Sequence, residues 1–216
     1  MPNQTSNQKS GKSRKGKTRK SKLSLSMQKE VKKLAANVID SRDRAERELK
    51  CFEVITFNQA ISTAPAIIQL TSGMVTGTLQ NQRIGNEVSL HNHLIRYSVS
   101  SADSTNVVRV IIFRWFGIGV PAGNQVLSDA VLAPWLSPLD CADDVDIQVI
   151  HDNLMCFDTD DTIFVDKQFR DLSGKAVWND QGGTVKGQLF MLLVSDSDVS
   201  SHPSMTFNSR VKYFDA

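Results

Sequence analysis

Lys9, Lys12, Arg14, Lys15, Lys17, Arg19, Lys20 and Lys22 recur every one to three residues, with no aromatic residue anywhere before Phe52. Cations at this spacing neutralise successive phosphates and release condensed counterions, a sequence-tolerant chemistry. Stacking on bases requires rings, which this stretch lacks. Gly11 to Thr18 also satisfies the letters G-x-x-x-x-G-K-[ST]. A phosphate-cradling loop needs a buried strand delivering it and a helix N-terminus receiving it. Only polar residues precede this run and Arg19-Lys20-Ser21-Lys22 follows it, so the match is compositional.

Other chemistry-bearing residues form weaker patterns. His91 and His93, six and eight residues after Gly85, open like a cupin metal motif, and residues i and i+2 of a strand share a face. The expected Glu is missing, with Tyr97 and Ser98 in its place, and two ligands leave a metal site open. Surface or interface histidines are the better reading, and no resident metal or cofactor is expected. Asp158, Asp160 and Asp161, or Asp140, Asp143, Asp144 and Asp146, offer hard oxygens that suit an interfacial Ca²⁺ at most, since no EF-hand loop is met. No G-x-S-x-G occurs, and His151-Asp152 has no placed nucleophile, so no catalytic residue is assigned. Cys51, Cys141 and Cys156 are odd in number and lack C-x-x-C spacing; they read as reduced core thiols. Asn3-Gln4-Thr5 fits the glycosylation sequon, which goes unused without secretion.

The elements that must position these residues follow from composition and period. The 216 residues are 40% hydrophobic and 22% charged, which excludes collagen-like and wholly disordered classes. The N-terminus has no apolar signal region, and the longest apolar run, Val107 to Phe116, is cut by Arg109 and Arg114, so no membrane span is predicted. The net charge of +2 conceals an asymmetry. Residues 1–33 carry eleven bases and one acid, +10, which leaves −8 for the remaining 183 residues. A polycation joined to an acidic body points to a polyanionic partner.

Residues 1–25 read as a disordered basic arm, because residues 1–22 hold no aliphatic or aromatic side chain apart from Met1 whose burial could offset the entropy of ordering. Residues 26–50 read as an amphipathic helix with Met27, Val31, Leu34, Val38, Ala45 and Leu49 on one face. Asp40–Arg44, Asp43–Arg47 and Glu46–Lys50 supply acid-before-base pairs at i,i+4. From Cys51 the period becomes that of strands, and eight are expected: 51–58, 64–70, 86–100, 106–116, 145–157, 161–170, 185–194 and 203–213. A phase slip places a bulge near Leu94-Ile95. Residues 71–85, 117–144 and 171–184 read as loops. The fold class is all-β, an eight-stranded jelly-roll β-sandwich over residues 51–216. Two strands, 106–116 and 185–194, are apolar on both faces, so their second face needs a cover: a loop, the helix, or another subunit. The expected subunit-interface residues are accordingly Val31, Leu34, Val38, Phe113 and Trp115.

Gln82-Arg83-Ile84-Gly85-Asn86, Leu94-Ile95-Arg96-Tyr97 and Val108 through Trp115 together resemble segments of the capsid proteins of small circular single-stranded DNA viruses and of satellite necrosis-type plant viruses. Val149-Ile150-His151-Asp152, Leu192 to Asp196 and the closing Arg210 to Asp215 extend the likeness in the same order. The resemblance implies a viral coat protein that self-assembles into an icosahedral shell of sixty copies, with the arm facing a packaged single-stranded genome, RNA or DNA. It implies a virion location, with host cytoplasm or nucleus during assembly. The basic run also fits an import signal read by a host import receptor. The competing classes are a cellular nucleic-acid-binding β-sandwich with a basic tail and a metal-dependent cupin-like enzyme.

Overall fold

The computed structural model describes residues 25–46, 48–102, 105–140, 147–158, 161–170, 172, 174–179, 184–198 and 201–215. The chain divides into two compact units between residues 46 and 47. The first holds helix α1, Leu25–Glu46. Its apolar residues at spacings of four, three and four, Met27, Val31, Leu34 and Val38, are each more than half exposed. The helix ends four residues earlier than its stripe suggested. Leu49 and Lys50 open the first strand instead, and Lys50 is buried against the Asp215 carboxylate at 2.7 Å, so the expected Glu46–Lys50 helical pair does not exist.

The second unit is a two-sheet sandwich of ten strands: β1 (Leu49–Ala60), β2 (Ala66–Gln69), β3 (Glu87–Ser100), β4 (Thr105–Trp115), β5 (Ile147–Asp158), β6 (Thr162–Phe169), β7 (Gly174–Trp178), β8 (Thr184–Lys186), β9 (Gln188–Ser195) and β10 (Ser204–Asp215). One sheet runs β1-β10-β3, with β6 and β7 sharing the far edge of β3 and β8 beyond β7; the other runs β2-β9-β4-β5. Every pairing between these strands is antiparallel. Eight strands in the orders β1-β10-β3-β6 and β2-β9-β4-β5 are the two sheets of a jelly roll, as expected. Of the additional pair, β7 lies inside the segment read as the 171–184 loop, where Gly and Asp residues weaken the strand signal, and β8 takes the start of the strand expected over 185–194, which breaks at Gly187.

The inter-sheet core is built by alternation. Along β10, Met205, Phe207, Val211 and Tyr213 point inward, while Arg210 and Lys212 face out. Along β3 the inward set is Val88 and Leu90, then His93, Ile95, Tyr97 and Val99, because the register slips opposite Lys212 and Tyr213 and leaves His91 unpaired. The bulge therefore sits at His91, three residues before the expected site. It moves His91 and His93 to opposite faces.

The register also sorts the loops. The connections after β2, β4 and β6 emerge at one end of the sandwich and are long; those after β1, β3, β5 and β9 are short and emerge at the other. The chain enters β1 at the long-loop end, where Leu49 pairs with Phe214.

Candidate assembly surface

β9 is buried at all eight positions, and β4 from Val108 to Trp115. A sheet facing one core accounts for half of those residues, so the outer face has a cover of its own. Ile111, Phe113, Trp115, Phe190, Leu192 and Val194 pack there under Val126 and Leu127, with Trp135 and Leu139 at the margin. Phe113 and Phe190 stack with centroids 5.8 Å apart. Burying each such ring contributes about 2–3 kcal/mol. Phe113 and Trp115 are 0% and 4% exposed. This corrects the subunit-contact expectation for these two residues: the connection between β4 and β5 folds back over its own sheet, so neither side chain reaches the surface of the subunit.

That connection is fastened by polar groups. Arg109 projects from β4 and donates from Nε and Nη2 to the two carboxylate oxygens of Asp152, at 2.8 and 2.6 Å, while Nη1 donates to the Ser137 carbonyl. The forked geometry suits arginine and not lysine. Ser128 N donates to the Pro138 carbonyl and Asp140 N to the Val126 carbonyl, closing the loop as a short ladder. At its tip, Asp129 Oδ1 accepts from the Val131 and Leu132 amides, both at 2.9 Å, and those two bonds hold its carboxyl below the usual range. The turn thereby presents two aliphatic side chains to solvent: Val131 and Leu132 are 82% and 83% exposed. Ile118, Val120 and Leu136 on the same connection are also exposed. These exposed aliphatics on a pinned loop form a candidate contact surface.

A second arginine joins the two sheets at the long-loop end. Arg114 donates to the Lys175 carbonyl at 3.0 Å and to the Gly187 carbonyl at 3.4 Å, with its guanidinium over the Phe116 ring. Burial pushes its pKa down. Arg83 anchors the β2–β3 connection in the same way, through the carbonyls of Met74 and Gly85, with Trp178 beneath it. In the sequence Arg114 interrupts an apolar run and Arg83 follows three amide residues, and nothing in their spacing reveals the carbonyls they hold.

The remaining expected sites are dispersed. Lys9, Lys12, Arg14, Lys15, Lys17, Arg19, Lys20 and Lys22 lie outside the described residues, as do Cys141, Asp143, Asp144, Asp146 and Asp160. Val31, Leu34 and Val38 are exposed on α1. His91 packs on Phe214, whereas His93 is fully buried, its Nε2 2.9 Å from Ser209 Oγ. This serine–histidine contact has the spacing of a nucleophile and its base, but both residues are closed to substrate between the sheets. The two histidines do not share a face, so they cannot jointly hold a metal. Among the described residues no group of three or more His, Cys, Asp or Glu is placed to do so. Cys51 is half-buried and Cys156 exposed; both are free thiols, and Cys156 is not the core residue expected. No helix among the described residues is long and apolar enough to cross a membrane.

No protein-family model matches the chain, and no curated protein matches it. Among solved structures, a chain of Desmodium yellow mottle tymovirus is similar over 78% of this chain and 88% of its own, at 9% identity and a TM-score of 0.38. A chain of infectious bursal disease virus, Gx strain, is similar over 78% of this chain and 33% of its own, at 9% identity and a TM-score of 0.28. The jelly-roll assignment stands on strand order and register.

Proposed function

We propose that the chain is a non-enzymatic viral capsid subunit, which self-assembles into a small closed icosahedral shell and packages single-stranded nucleic acid through its basic N-terminal arm. The reading rests on one juxtaposition: a +10 leader on a jelly roll whose long-loop end carries exposed aliphatics on a fastened turn. The leader supplies phosphate neutralisation and the turn supplies the contact between copies. Sixty leaders bring roughly 600 positive charges to the interior of a shell, enough for a comparable number of phosphates. The acidic remainder discourages nucleic acid from coating the outside.

Helix α1 contributes a second contact in this scheme. Val31, Leu34 and Val38 form a stripe too thin to stabilise an isolated helix, and they bundle with their counterparts about a symmetry axis. The leader also serves as a signal for a host import receptor. Electron microscopy of the purified full-length protein tests the proposal. Uniform closed particles are expected; monomers or small open oligomers at all salt concentrations would point to the cellular nucleic-acid-binding alternative. Digestion of co-purified nucleic acid with RNase against DNase then assigns the genome class.

A further inference from the structure

The outer face of the β1-β10-β3-β6 sheet holds an apolar groove of about 560 Å³ that the proposed function leaves unused. Its walls are Phe57 on β1 and Phe164 on β6, 73% and 80% exposed; its floor is the small pair Thr206 and Ser98 on the strands between. The walls stand three inter-strand steps apart, roughly 14 Å. Phe57 is placed there by a dedicated device. The β1–β10 register breaks between Thr56 and Gln59, Asn58 takes a left-handed φ of 51°, and its amide donates to Thr206 Oγ1 at 3.2 Å. A bulge of this kind re-aims a side chain, and asparagine is among the few residues that tolerate the conformation.

Charge selects the occupant. On this face Arg96 pairs with Asp166, Arg210 with Glu53 and Lys175 with Glu87, while Lys212 adds a further cation, so the face is net positive on a net negative body. The leader itself has no ring with which to hold a base.

We infer that this groove is a second nucleic-acid site, in which Phe57 and Phe164 stack on unpaired bases of a strand whose phosphates lie along the flanking arginines and lysine. The inference rests on the proposed packaging of single-stranded nucleic acid and assigns where its bases are held. The site is selective for single strands, because paired bases cannot present their faces to a ring, and it is tolerant of sequence, because every base has such a face.

The test is fluorescence anisotropy of labelled oligothymidylate with the full-length protein across a range of NaCl concentrations, together with ultraviolet crosslinking and peptide mapping. Replacing both rings (Phe57→Ala with Phe164→Ala) lowers affinity about tenfold or more at every salt concentration, displacing the log K against log salt line without changing its slope. Phe57→Tyr with Phe164→Tyr restores the affinity, and crosslinks map to the peptides holding residues 57 and 164. Neutralising Lys15, Lys17 and Lys20 to Gln flattens the slope instead. If the alanine variant superposes on the wild type while the leader variant does not, the groove assignment is overturned and packaging by the leader stands. If the alanine variant alters particle formation but not oligonucleotide affinity, the groove is a seat for the apolar stripe of α1 from another copy, and the assignment is equally overturned. Absence of oligonucleotide binding by the wild type at low salt removes the packaging reading itself.

Discussion

His93 offers a stability measurement whose size follows from its surroundings. Its ring lies between the sheets, Nε2 against Ser209 Oγ and one edge near Phe169, while Nδ1 has no hydrogen-bond partner among the described residues. A proton on Nδ1 would add a charge and an unsatisfied donor in an apolar setting, so burial pushes the pKa from 6.5 down to about 4. As pH falls, the unfolded chain takes up this proton first. The stability tied to the neutral ring is complete above pH 6.5, declines below it, and is exhausted below pH 4. A shift of this size corresponds to about 3 kcal/mol. Urea unfolding followed by tryptophan fluorescence reads it, in wild type and in His93→Gln, whose amide preserves a partner for Ser209. His151 is held below its ordinary pKa chiefly by burial and also by Lys167, and it titrates in both proteins, so it cancels in the difference between them. The wild type should lose about 3 kcal/mol more than the variant between pH 6.5 and pH 4. Equal losses would show that His93 is already charged or solvated in the folded chain.

Four further outcomes are expected. Asp152→Ala leaves the Arg109 guanidinium buried without its partner and should cost about 3 kcal/mol in chemical unfolding, most of it recovered when Arg109 is also replaced by Met. Val131→Ser with Leu132→Ser should abolish particles in electron microscopy with little change in melting temperature, since both side chains are already in water. Val31→Ser with Leu34→Ser should weaken assembly in the same assay, and intact particles would remove the helix-bundle contact. Neutralising all eight cations of residues 9–22 to Gln should reduce the slope of log affinity against log salt by about 6 for a single strand, measured by oligonucleotide titration.

The strands were legible because burial on one side of a sheet imposes a period of two, which β10 states with little noise in Met205, Phe207, Val211 and Tyr213. The two-sided apolar runs of β4 and β9 were equally plain, but the identity of their cover was not. Sequence shows that Phe113 and Trp115 must be hidden; that Val126 and Leu127 hide them depends on Arg109 reaching Asp152 and the Ser137 carbonyl, contacts between residues 28 to 43 positions apart. The bulge at His91 escaped for a related reason. A slip of one residue is visible as a change of phase, yet the point of the slip is set by the partner strand, where Lys212 and Tyr213 straddle it. Helix α1 shows the converse error, in which a continuous local pattern overran its element: Leu49 fits the helical stripe, but pairing with Phe214 claims it for β1.

The groove was hidden for a different reason. Phe57 and Phe164 lie 107 positions apart and carry no local signal beyond being aromatic residues on strands, where the ordinary expectation is burial. Only the register, with Thr206 and Ser98 between them, shows that both rings sit on the solvent side of one sheet. Each therefore faces solvent, Phe164 in the row held by Asp166 and Gln168 further along β6 and Phe57 in the row held by Glu53 and Ile55 on β1. An aromatic ring facing solvent gives up burial worth about 2–3 kcal/mol, and a sandwich selected for stability alone would place a hydrophilic residue there. Two such departures, facing each other across a shared floor and reached through a bulge that needs asparagine in a left-handed conformation, are the kind of local inconsistency that a binding function explains and a folding function does not.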